Sequence, residues 1–386
     1  MATQTVNSLP VDDADIGPVR RKFMAEAGLH LYSGGATVLR PSDLYSLARL
    51  PDFREALAGC NIYLICRRPR ISISPHRLRV CEGMIHGEFR VHEDVASYQP
   101  YHFVQSKPFL NTDFTPWRAA DIISAPSSGC DVRIADSNGR HQFVPAHVLV
   151  AKSRHDLGKE TSLEVLYVGQ GFGKKGERLA TDRLSAHSTL QRIMAETMLE
   201  KPSDEILLLL FRYEHSRNIL STAGDMSVEP SASSQDEREH MLKSGALHLD
   251  RRTRIMLAEA TLINYFMPKF NIMHKDSFQP SNTKKLKTLK SLFAHDLTGL
   301  IVEINTSDFG SRLYSASEPA RTMESSFPPD VIARIQSPGW PKEAGLSTAE
   351  VDEFISEMTH AHFARYPLHS KTERESFLHS LPWGQA

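Results

Sequence analysis

Cysteine is scarce in this chain: four residues, Cys60, Cys66, Cys81 and Cys130, are spread over 386 positions. They are too few and too irregularly spaced for a disulfide framework or a thiolate zinc site. Long hydrophobic runs are missing as well. The strongest, Ile206 to Phe211, falls far short of the roughly 20 residues that span a bilayer, so no membrane partner is expected. The opening Met-Ala-Thr-Gln-Thr-Val-Asn-Ser-Leu-Pro has neither the basic nor the apolar region of a secretory signal, and a cytoplasmic location is the expectation. Charge of one sign is not in excess, since 45 Lys and Arg face 46 Asp and Glu. No global field therefore draws a polyanion to the molecule. The glycine-rich stretch Gly169 to Gly176 lacks the Gly-Lys-[Ser/Thr] ending of a P-loop, and no internal repeat is visible.

What is present is an ordinary globular composition, 40% hydrophobic and 24% charged, in a chain long enough for two or three domains. An α+β fold class is expected throughout. Residues 1–25, rich in Asp, Ser and Pro, read as a flexible tail. Residues 26–143 read as an N-terminal α+β domain. Its strands lie at Asn61–Cys66 and Ile71–Ser74, Pro41–Leu57 reads as a helix pair or as one helix broken at Pro51, and no nameable site assembles in it.

Residues 144–314 form the next unit. Strands are expected at Val144–Ala151, Leu163–Val168, Ile206–Phe211 and Leu300–Ile304, and helices at Glu177–Leu199 and Arg251–Phe266. An inserted loop occupies 221–240 and a basic stretch 269–290. Residues 315–386 read as a linker followed by a C-terminal helix, which starts at Ser347 with Glu350 three positions on and runs to about Ala364.

The chemistry gathers in two segments. On the expected helix after Tyr167, Arg183 and His187 are four residues apart and share a face. The guanidinium can pair with a phosphate, and the imidazole can accept or deliver a proton. In the second segment Glu259 stands on an apolar stripe with Ile255, Leu262 and Phe266. A carboxylate facing a core needs an arginine, a hydrogen-bond network or a metal ion, and Mg²⁺ suits its hard oxygen. Pro268 ends that helix and leaves Asn271 just beyond it. Residues 251–290 carry nine bases against two acids. Lys269, Lys275, Lys284 and Lys285 in this stretch, with Lys174 and Arg178 beside the glycine-rich loop, are candidate contacts to a nucleic-acid backbone. His360, His362 and His369 do not make a metal site, because the i, i+2 spacing puts the first two on different helix faces.

Tyr167-Val-Gly169, Arg183-Leu184 with His187, and Glu259-x-x-Leu-Ile followed by Pro-Lys-Phe-Asn271 together resemble the GIY-YIG nuclease superfamily, over roughly His147 to Asn271. The resemblance implies a small three-stranded antiparallel sheet flanked by helices. It implies an endonuclease that hydrolyses nucleic-acid phosphodiester bonds, DNA before RNA, with one divalent ion, Mg²⁺ or Mn²⁺. On matching positions Tyr167 would activate the water, Arg183 would stabilise phosphate charge, and His187 would serve proton transfer. Glu259 would hold the metal, and Asn271 would brace the site. No Gly-Ile-Tyr variant occurs in the strand expected before Tyr167, Pro145 to Ala151, and alignment of its apolar residues puts His147 at the place of the first tyrosine. Two alternatives stand beside this reading. One is a catalytically inactive, GIY-YIG-like nucleic-acid-binding protein. The other is a protein-interaction module that recruits a partner through the N-terminal domain or the C-terminal helix.

Overall fold

The run Ile206–Phe211 is apolar at every position because the strand containing it is covered on both faces. Leu207, Leu209 and Phe211 enter one core, and Leu208 and Leu210 enter another. A strand buried on both sides loses the alternation that marks a half-exposed one. The computed structural model of the chain describes residues 22–46, 50–81, 84–106, 120–136, 141–152, 161–171, 179–222, 229–271, 292, 295–297, 299–337, 339–340 and 345–367. The elements below are those of the described residues.

The chain opens with β1 (Glu26–Tyr32), β2 (Ala36–Leu39), α1 (Asp43–Ser46), α2 (Pro51–Ala56) and β3 (Ile62–Pro69). There follow β4 (Ile71–Ile73), β5 (Arg79–Cys81), β6 (Met84–His92), β7 (Tyr98–Ser106), β8 (Ala120–Ser124), β9 (Asp131–Asp136), β10 (His141–Pro145) and α3 (Ala146–Lys152). Next come β11 (Leu163–Gln170), α4 (Ala180–Leu184), α5 (Ser188–Glu200), β12 (Asp204–Phe211), β13 (His215–Ser221), α6 (Ser234–Gly245) and α7 (Arg251–Phe266). The last are β14 (Gly299–Asn305), β15 (Leu313–Tyr314), α8 (Met323–Ser326), α9 (Pro329–Ile335), α10 (Thr348–His360) and β16 (Ala361–Pro367).

The class is mixed α+β, as expected. The sheet around Tyr167 has five strands rather than three, in the order β15-β11-β3-β12-β2. Within it β11, β3, β12 and β2 run antiparallel to their neighbours, and β15 joins parallel at one edge. The boundary expected at 143/144 divides this sheet, since β2 and β3 come from before it and β11, β12 and β15 from after it. Residues between β3 and β11 form an inserted unit of two antiparallel sheets, β4-β6-β5 with β7 on β6, and β10-β9-β8. Ile71, Ile85, Phe89, Val132, Ile134 and Leu149 give it a core of its own.

A further sheet, β13-β1-β14-β16, lies across α7 from the central one. Ala27, Leu29, Leu31, Leu300, Val302 and Ile304 share one core with Ile62, Leu64 and the α7 residues Ile255, Ala258, Leu262 and Phe266. Helix α7 is therefore buried nearly all round. Its ends are locally encoded: the Asp250 carboxylate accepts from Thr253 N at 2.8 Å, and Met267 closes the helix in the left-handed region at φ 44° before Pro268.

Several expectations are corrected. Val144–Ala151 is not a strand: β10 ends at Pro145 and α3 begins at Ala146. Glu177–Leu199 is not one helix but α4 and α5 with a turn between. Part of the loop expected over 221–240 is helix α6, capped by Ser233 with Asp236. Of the tail expected over 1–25, Phe23 is buried and stacks on His240 at 3.9 Å. The segment expected as a linker holds α8 and α9, which pack Phe327 and Ile335 against Val351 of α10. Helix α10 starts at Ser347 as expected, with Ser347 Oγ and Glu350 closing a capping box. It ends at His360 rather than Ala364, because Ala361–Pro367 pairs antiparallel with β14. No helix among the described residues is long and apolar enough to cross a membrane.

Candidate active site

Two phenols meet on one face of the central sheet. Antiparallel register puts Gly169 of β11 opposite Tyr63 of β3, and two positions back on β11 the side chain of Tyr167 points to the same face. The rings of Tyr63 and Tyr167 lie 6.1 Å apart with 27° between their planes. Glycine is required between them. A Cβ on Gly169 would stand 2.6 Å from the Tyr63 hydroxyl oxygen and 2.7 Å from a Tyr167 ring carbon, closer than atoms pack.

Arg183 and His187 arrive from the same side. His187 is not a turn further along one helix; its extended backbone, φ −91° and ψ 107°, caps α5, and Nδ1 accepts from Leu190 N at 3.3 Å. The ring meets Tyr63 edge-on at 5.9 Å and tilts against Tyr167 at 5.2 Å. Burial first, then the Arg183 charge, hold its pKa below the usual 6.5. The ring is therefore neutral at neutral pH, and with Nδ1 occupied its proton sits on Nε2. Toward the site His187 offers a donor rather than a lone pair.

The phenols respond to the same surroundings. The Tyr63 hydroxyl is fully buried and has no partner of strict hydrogen-bond geometry among the described residues. Burial, followed by the neighbouring Tyr167, pushes its pKa well up, against a smaller pull from Arg183. Tyr167 is raised by burial and then by Glu259, with Arg183 again opposing. Burial works against the Arg183 charge, but Tyr63, Tyr167 and Glu259 outweigh it and raise the guanidinium above its ordinary value. Arg183 is thus a fixed cation, which both phenols and the carboxylate feel.

Glu259 enters from α7, on the opposite face of the sheet. Its Oε2 accepts from Gln170 Nε2 at 2.8 Å. Asn271 does not reach the phenols and instead clamps β11. Its Nδ2 donates to Val168 O at 2.7 Å, and its Oδ1 accepts from Val168 N at 2.8 Å. Phe270 N adds a bond to Leu166 O at 3.1 Å. Val168 and Asn271 are both buried, so Asn271→Ala would strand an amide and a carbonyl away from water. A loss of about 2–4 kcal/mol in urea denaturation is expected, and a loss under about 0.5 kcal/mol would contradict the clamp.

The other candidates fall apart from this cluster. His147 lies in α3, where burial first, then the charges of Arg68 and Arg40, push its pKa down to about 3. Arg68 is five residues along β3 from Tyr63, about 17 Å at ~3.3 Å per residue. His147 therefore belongs to the junction with the inserted unit and does not stand in for a site tyrosine. Lys269 pairs with Glu196 at 3.2 Å and approaches Glu200 at 3.9 Å. Lys174, Arg178, Lys275, Lys284, Lys285 and His369 lie outside the described residues. His362 is buried, with Nδ1 3.0 Å from the Tyr265 hydroxyl.

Among the described residues no three His, Cys, Asp or Glu side chains cluster as a metal cage. Glu259 instead supplies one hard carboxylate, within electrostatic reach of the Arg183 cation and the two phenols. That donor set fits Mg²⁺ or Mn²⁺, since Mg²⁺ keeps several waters and takes one or two carboxylates together with substrate phosphate. It does not fit a closed structural zinc site. The residues missed in the sequence are Tyr63 and Gln170; the intervening chain, residues 64–166, hides the pairing of β3 with β11. No family model, curated protein or solved structure matches this chain.

Proposed function

We propose that this chain is a GIY-YIG-like endonuclease that hydrolyses DNA phosphodiester bonds with a divalent metal ion. The observation that carries the reading is the convergence of Tyr63, Tyr167, Arg183 and His187 from separate segments onto one sheet face, with Glu259 within electrostatic reach. Asn61-Ile62-Tyr63 is read as the variant of Gly-Ile-Tyr whose place His147 does not fill. Tyr167-Val168-Gly169 is its partner on the neighbouring strand.

In the reaction a water oxygen bonds to phosphorus, and the opposite P–O ester bond breaks with its electron pair on the leaving oxygen, which solvent protonates. The water's proton passes to a tyrosine oxygen in its ionised form. Arg183 sets paired N–H donors against the phosphoryl oxygens. His187, donating through Nε2, favours the ionised phenol. The divalent ion, when bound at Glu259, supplies Lewis-acid stabilisation of the phosphoryl charge.

Supercoiled plasmid and labelled single- and double-stranded DNA and RNA, each with Mg²⁺, Mn²⁺ or EDTA, test the reading. Metal-dependent cleavage of DNA is expected, reduced at least about a hundredfold in Arg183→Ala and Glu259→Ala. Cleavage that survives both substitutions would remove the site assignment. Binding without cleavage in every condition would favour the inactive nucleic-acid-binding alternative.

A further inference from the structure

Strand β11 organises both sides of the site with consecutive residues. Gly169 faces the phenols and makes room for them; Gln170, by the alternation of the strand, faces α7. There its amide donates to Glu259 Oε2 at 2.8 Å. The backbone of Gln170 is itself held, paired with Ile62 of β3 in the register that puts Tyr63 beside Gly169. Two residues earlier on the same strand, Asn271 clamps Val168. Glu259 sits on a helix buried nearly all round, so its backbone is fixed, and the torsions of the side chain are the freedom that remains. A directed bond from a rigid strand end restricts that freedom.

We infer that Gln170 is a positioning residue, which orients the Glu259 carboxylate for a divalent cation. The inference rests on the reading of Glu259 as the cation's carboxylate. Gln170 acts through Glu259 and supplies no proton. An outer hydrogen bond of this kind sets the angle at which a carboxylate meets its ion, and removing such partners commonly costs ten- to a hundredfold in metal affinity. Glutamine suits the task because its amide donates at every pH of interest without adding charge. A carboxylate at the same place would repel Glu259 in the absence of the cation.

The test is Mn²⁺ binding to the full chain without nucleic acid, followed by electron paramagnetic resonance, on wild type, Gln170→Leu, Gln170→Ala and Glu259→Ala. Plasmid cleavage against Mg²⁺ concentration is measured alongside, and thermal melts report folding. In both Gln170 variants the Mn²⁺ dissociation constant and the half-saturating Mg²⁺ are expected to rise about tenfold, with the rate at saturating Mg²⁺ within about twofold of wild type. A general loss of structure would lower that rate and the melting temperature together. If either folded Gln170 variant binds Mn²⁺ as wild type does while Glu259→Ala loses binding, the positioning role is overturned and the site reading stands. If Glu259→Ala binds Mn²⁺ as wild type does, both fall.

Discussion

Tyr63→Phe is expected to lower the cleavage rate roughly a thousandfold and to leave the melting temperature almost unchanged. The substitution removes one oxygen atom. That oxygen is buried beside the Arg183 guanidinium and the Tyr167 hydroxyl, neither of which it meets in strict hydrogen-bond geometry, so its loss costs about 1 kcal/mol or less. The ring stays, and with it the packing against Tyr167 and His187. A large effect on rate with a small effect on stability marks a group used by chemistry rather than by the fold. The pH dependence sharpens the test. Burial raises both phenols, so the ionised fraction at neutral pH is small and grows with alkalinity. Wild-type cleavage should therefore climb through the alkaline range, and the residual rate of Tyr63→Phe should climb less. His147→Ala should keep nearly full activity. Wild-type rates in Tyr63→Phe, together with loss of cleavage in a folded His147→Ala, would return the role to His147.

The parts of this architecture written in local chemistry were legible in the sequence. Helix α7 is bounded as expected because its ends depend on neighbours in the chain: Asp250 caps one end, and Pro268 stops the other. Helix α10 begins at its Ser347 and Glu350 box for the same reason. Long-range pairing was not legible. Tyr63 joins Tyr167 only once the inserted unit is recognised as leaving and returning at the far end of β3 and β11, and no periodicity in residues 64–166 announces that. The segment after Pro145 misled through composition. Its valines and alternation suggest a strand, yet the positions buried deepest, Ala146, Leu149 and Val150, fall at i, i+3 and i+4, the spacing of a helix face. His187 likewise lies four residues from Arg183 in sequence, but the two converge through a turn and a cap. The pair was legible, and the tautomer that its cap imposes was not.

Acidification should destabilise the fold chiefly through two buried histidines outside the site, with His187, whose pKa is also held below its usual value, acting in the same sense. His147 and His362 are both held neutral, with pKa values pushed down to about 3. For His362 burial leads again, followed by the charge of Arg321, with its ring beside the Tyr265 hydroxyl. In the unfolded chain each would protonate near 6.5. Between about pH 3 and 6.5 the unfolded state then binds more protons than the folded one, so stability rises with pH across that window and is lost as pH falls. Each histidine contributes up to about 1.4 kcal/mol per pH unit there, so the pair should cost roughly 5 kcal/mol between pH 6.5 and 4.5. Carboxyls raised by burial, such as Glu318 and Asp204, act in the opposite sense. The comparison with His147→Gln therefore carries the test, since glutamine fills a similar volume without titrating. Urea denaturation at the two pH values should show the variant losing roughly 2–3 kcal/mol less than wild type. Equal losses in the two proteins would mean that His147 is charged in the fold. A charged His147 is incompatible with the buried junction beside Arg68 and Arg40.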